Sequence, residues 1–108
     1  MATLANRFQF QSLFSQIFTH VATAQDVASL VDAAGATVTL TVPGVALGDM
    51  VLAFSFGVSL AGMTATAYVS AADTVQIRVQ NESTATVDLA STTIKVVVGR
   101  PSDAVFVA

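Results

Sequence analysis

Val75-Gln76-Ile77-Arg78-Val79-Gln80 is the stretch from which the fold of this chain is read. Apolar and polar residues alternate without a break, the period-two signature of a strand with one buried face. Val75, Ile77 and Val79 fall on one side, and Gln76, Arg78 and Gln80 on the other. Val38-Thr39-Leu40-Thr41-Val42 repeats the pattern, with the threonines opposite Val38, Leu40 and Val42. Pro43-Gly44 stops that run, because proline gives the ladder no N–H and the dipeptide favours a turn.

Working outward, five further strands are expected: Val27 to Val31, Met50 to Phe56, Thr64 to Val69, Ile94 to Val98, and Ala104 to Val107 as a short strand or a tail pairing elsewhere. Leu52, Phe54 and Phe56 should share a face. Corners fall at Asp32-Ala33-Ala34-Gly35, Gly48-Asp49, Gly57 to Gly62, Ala71-Ala72-Asp73 and Gly99-Arg100-Pro101, and a polar connection runs from Asn81 to about Ser91. Gly48 allows a positive φ, while Asp49 and Asp73 can bond nearby backbone N–H groups. About seven strands at spacings near ten residues, with no helix-length segment between them, predict an all-β, antiparallel β-sandwich. Leu40, Leu52, Phe54, Ile77 and Val96 are the expected core.

Residues 1–22 differ in texture and hold Phe8, Phe10, Phe14 and Phe18. Phe10, Leu13, Phe14, Ile17, Phe18 and Val21 draw one apolar stripe at helical spacing. Phe8-Gln9-Phe10-Gln11 alternates as a strand would. The segment therefore supports either a short helix or an extended arm, followed by a sandwich domain over residues 23–108. Such an arm would pack on its own domain or dock on a neighbouring subunit, and the apparent completeness of the sandwich favours docking.

Composition bounds the function. The chain has 108 residues, room for one core only. It is 54% hydrophobic but 10% charged, against about 25% charged in an ordinary soluble domain. No apolar run approaches the ~20 residues of a membrane helix, so the excess lies along strands and part of it faces outward. Outward apolar surface marks a subunit that neighbours cover. A net charge of −3 and four dispersed cations give no phosphate-binding stripe, which argues against nucleic acid. Without cysteine there is no disulfide or thiolate chemistry, and one histidine, His20, makes no metal cluster. No Gly-x-Ser-x-Gly elbow, phosphate-binding glycine loop or Asp-x-Asp-x-Asp calcium spacing occurs, and the acids sit singly at corners. Nothing in the chain reads as an enzyme or as a cofactor site.

Val42-Pro43-Gly44-Val45-Ala46-Leu47-Gly48-Asp49 is followed by Ala67-Tyr68-Val69-Ser70-Ala71-Ala72-Asp73-Thr74-Val75. With Arg78, Asn81 and the Asp88 segment, these runs resemble a small β-sandwich module of structural proteins of tailed bacteriophages, cyanophages included. The resemblance covers Asp26 to Arg100; each run is short, but their order and spacing agree. Residues 1–22 lie outside it. It implies a virion structural role, without any catalytic residue to carry over. The leading expectation is a capsid decoration (cement) protein on the head exterior, with the major capsid protein as partner. Decoration proteins often form small cyclic oligomers, which favours a homotrimer over a dimer. Phe8, Phe10, Phe14, Phe18 and Arg78 are the candidate interface residues, the rings as aromatic anchors and the guanidinium as a subunit contact. A tail or fibre component that attaches to a host surface is the alternative, weakened by the absence of Trp and by Tyr68 being the only Tyr. An edge-to-edge adhesion or surface-layer subunit is a third reading.

Overall fold

A computed structural model describes residues 13–102. Its six elements are all strands: β1 (Phe14–Gln25), β2 (Gly35–Thr41), β3 (Met50–Phe56), β4 (Thr64–Ala71), β5 (Thr74–Gln80) and β6 (Thr92–Pro101). They form two three-stranded antiparallel sheets, ordered β1-β6-β3 and β2-β5-β4. The chain alternates between sheets through its first four strands. It then makes the tight β4–β5 turn at residues 72–73 and inserts β6 between β1 and β3.

The core lies between the sheets. From the central strands come Val75, Ile77 and Val79 of β5 and Ile94, Val96 and Val98 of β6, all buried. Leu40, Val69 and Ala22 join them from the edge strands, and Val27, Leu30, Val42, Val45, Met63 and Leu89 from the connections. This is a small β-sandwich whose alternating strands each give one face to a shared apolar layer. The interior of the long β5–β6 connection is organised by Asn81, the buried polar residue of the described core. Its amide donates to the carbonyls of Leu30 and Ala85, both at 2.8 Å, and its Oδ1 accepts from Ser83 N and Oγ. A buried side-chain amide requires such full pairing.

Four expectations are corrected. Among the described residues there are six strands, not seven; the Ala104–Val107 segment lies outside them. Val27 to Val31 is not a strand: only Leu30 bridges, pairing reciprocally with Val87 at 2.9 Å. From Phe14 onward the aromatic segment is neither a free arm nor a helix, and residues 1–12 of it, with Phe8 and Phe10, lie outside the described residues. Residues 14–25 form β1, which pairs with β6 from Phe14–Pro101 to Gln25–Thr92 and runs through the expected boundary at residue 22. Lastly, a β-bulge between Val51 and Ala53 flips the start of β3. Val51, Phe54 and Phe56 pack on the core, whereas Leu52 reaches over Gly99 on the outer side, where Phe14 also lies. One extra residue in a strand exchanges its faces. Leu40, Ile77 and Val96 are buried as expected, and Phe54 is half-buried with its ring edge-on to Phe56 at 6.4 Å.

Candidate functional site

The register fixes which side chains share each outer face. On the β1-β6-β3 sheet, the buried Val96 and Val98 point inward, so Lys95 and Val97 point outward. Paired beside them are Ile17, Thr19 and Val21 of β1 and Ala53 and Ser55 of β3. Ile17 is 42% exposed, Val21 56% and Met50, opposite Gly99, 43%. Aliphatic residues predominate on this face, interspersed with Thr19 and Ser55, and Lys95 is its one charge among the paired positions. Its edge strand, β1, has no Asp, Glu, Lys, Arg or Pro in twelve residues. Edge strands are normally blunted by such residues, and β1 carries only two register shifts in their place.

The outer face of the β2-β5-β4 sheet is a polar grid. Three rows cross it: Gly35, Gln80 and Thr64; Thr37, Arg78 and Thr66; Thr39, Gln76 and Tyr68. Tyr68 donates its hydroxyl to Gln76 Oε1 at 2.7 Å, Arg78 Nη1 donates to Thr37 Oγ1 at 3.3 Å, and Gln80 Nε2 donates to the Ala33 carbonyl at 2.7 Å. Apart from Tyr68, no large apolar side chain stands here.

At one end, Arg100 ties β6 to both β1 and the β2–β3 connection. Its guanidinium forks onto Asp49, Nε to Oδ1 at 3.1 Å and Nη2 to Oδ2 at 3.0 Å, and donates to the Gly44 carbonyl and Gln16 Oε1. Phe18 lies under it, ring centroid 5.1 Å from the guanidinium carbon. Burial pushes the Asp49 carboxyl up, but the bonds from Arg100 and the Ala46 N–H outweigh that and hold it below the usual carboxylate range. At the neighbouring corner Gly48 takes a φ of +97°, and Asp73 Oδ1 accepts from the Gly44 N–H at 2.8 Å.

The candidate interface residues are therefore dispersed. Phe8 and Phe10 lie outside the described residues. Phe14 is buried beside Gly99 on the outer side, and Phe18 is half-buried between the core and Arg100. Arg78 stands on the opposite sheet. Sequence reasoning missed the outward Ile17 and Val21, because both fit its helical stripe. It also missed the link of Arg100 to Asp49, which spans 51 positions. His20 is half-buried in a groove of about 560 Å³ between the edges of β1 and β2, lined also by Thr39, Thr41 and Pro43 and by no carboxylate. Among the described residues, no three His, Asp or Glu side chains converge as metal ligands would, and no helix is long and apolar enough to cross a membrane.

No protein-family model, curated protein or solved structure matches the chain, so its function is argued from these surfaces.

Proposed function

We propose that the chain is a phage virion structural protein, a decoration or cement protein that binds the outside of the head and stabilises joints between major capsid protein subunits. The observation that carries this reading is the outward apolar face of the β1-β6-β3 sheet, built on Ile17, Val21, Met50 and Val97 and bordered by the uncharged edge of β1. Left in water, such a face is a liability; covered, it is a source of association free energy. At about 25 cal/mol per Å² of apolar area, a standard contact of about 800 Å² per partner, a little over half of it apolar, offers on the order of 20 kcal/mol gross, before the costs of association. The resemblance in the Val42–Asp49 and Ala67–Val75 runs supports the same place. A homo-oligomer, with a trimer favoured, would share this face between copies and shell, leaving the polar sheet outward.

The test is co-sedimentation of the purified chain with undecorated heads, with cryo-electron microscopy of the particle. Head density and retained shells are expected, and the double variant Ile17→Asp, Val21→Asp should lose the shells while Arg78→Gln keeps them. Density on the tail, or undiminished binding by the double variant, overturns the reading. The second reading, a tail or fibre component that meets a host surface, is favoured by one observation: Tyr68 and Arg78 share the opposite, polar face.

A further inference from the structure

We infer that the outer face of the β2-β5-β4 sheet is a binding platform for carboxylate-bearing polysaccharides, with Arg78 holding a uronic acid carboxylate and Tyr68 stacking on a neighbouring sugar ring. Arg78 is placed with care. A Cβ at Gly35 would come within 2.3 Å of Gln80 Oε1 and 2.4 Å of Arg78 Nη2, so the guanidinium and the amide both reach over the bare glycine backbone. Thr37 Oγ1 fixes one end of it. Among the described residues the only ion pair is Asp49 with Arg100, so the Arg78 charge is not neutralised by a carboxylate. The grid around it offers only hydroxyls and amides.

Charge complementarity then selects the occupant. Covering a guanidinium without a counter-charge is costly, so the ligand supplies an anion. A planar fork of N–H donors matches a carboxylate, which it binds through two parallel bonds. A protein partner would need an apolar centre to its contact, and this face has none beyond Tyr68. A nucleic acid would need several cations, and this face has one. Sugars match what remains. Tyr68, 48% exposed, offers a ring face, and Gln76, whose Oε1 the Tyr68 hydroxyl occupies, keeps its amide N–H groups for hydroxyl oxygens. Tyr68 pairs with Gln76 and Arg78 with Thr66, so the ring and the cation are diagonal neighbours, about 7–8 Å apart at the backbone.

The experiment measures binding of the full chain to alginate, a polyuronate, by calorimetry at low salt. Neutral dextran, dextran sulfate and polyaspartate serve as comparison polymers. Alginate should bind, weakening as salt rises, and neutral dextran should not. Arg78→Gln and Tyr68→Ala should each weaken alginate binding at least tenfold with the unfolding midpoint nearly unchanged, since both side chains are exposed. Gly35→Ala should weaken it by displacing Arg78. Failure of alginate to bind, or equal binding by Arg78→Gln, overturns the inference. Equal or tighter binding of polyaspartate or dextran sulfate also overturns it, in favour of an acidic peptide or a general polyanion. The double variant Ile17→Asp, Val21→Asp should keep alginate binding, so the outcome here is separate from that of head binding.

Discussion

The two sheets share one core and differ in the balance of apolar and polar residues on their outer sides. On β1-β6-β3 the outward positions are Ile17, Val21, Val97 and Ala53, interrupted by Thr19, Ser55 and Lys95; on β2-β5-β4 the equivalent positions are Thr37, Thr39, Gln76, Arg78, Thr66 and Tyr68. Strand geometry and inner packing are alike, so folding alone does not demand the contrast. A sheet face that stays in water needs polar side chains, and the second sheet has them. The first sheet keeps branched aliphatic residues where they gain nothing in the isolated molecule. That difference is the ground on which one side is proposed for protein neighbours and the other for solvent and soluble ligands.

The comparison breaks most visibly through what the sheets share. Ile77→Ala removes a fully buried side chain from the centre of β5, and a loss of about 2–5 kcal/mol is expected in urea unfolding. Both outer faces should fail together, since both depend on that layer. Next is Asp49→Asn, which takes a charge from the fork that joins β6 to the Gly44 corner; a cost of about 1–3 kcal/mol is expected by the same measurement. Because the native Asp49 carboxyl titrates below its unfolded value, its contribution is whole above about pH 4 and is lost as pH falls through the native pKa. The Asn variant should accordingly lose less stability on acidification than the parent.

Smaller effects sharpen the contrast between faces. The double variant Ile17→Asp, Val21→Asp should raise the self-dissociation constant at least tenfold in analytical ultracentrifugation, equivalent to about 1.4 kcal/mol. The monomer should still fold. In the opposite direction, Thr39→Val with Thr66→Val gives the polar sheet the character of the other one. Stability should change by less than about 0.5 kcal/mol per site, as at exposed positions generally, while a new concentration-dependent association develops. If association is unchanged by either double variant, side-chain polarity does not decide which sheet is covered.

Much of this architecture is legible in the chain because alternation is a local signal. β2 and β5 are plain in their threonine, glutamine and valine periods, and β3 falls on residues 50–56 as expected. The failures each have a physical cause. A strand that turns aliphatic residues outward, as β1 does with Ile17 and Val21 between the inward Phe18, His20 and Ala22, loses its period of two and imitates a helical stripe. The bulge at Leu52 leaves no mark in composition, since Val51 and Leu52 are equally apolar. Val27 to Val31 has strand-like residues but one bridging partner, and pairing is a tertiary property. Of the candidate site, the polarity of the Arg78 face was readable from β5 alone. Its neighbours Tyr68 and Thr37 required the cross-strand register, and Asp49 with Arg100 required the closed sandwich.

The placement of β6 carries a consequence for the order of events during synthesis. Among the described residues, β1 and β3 pair with no strand of their sheet but β6, which leaves the ribosome after both of them. A nascent chain halted before Thr92 holds two orphaned ribbons, so this layer closes only once β6 has emerged, by contacts of long sequence separation. The greasy outer side of that layer thus comes into existence in a single late step. A growing polypeptide built this way cannot present that sheet as a finished surface until β6 has been made.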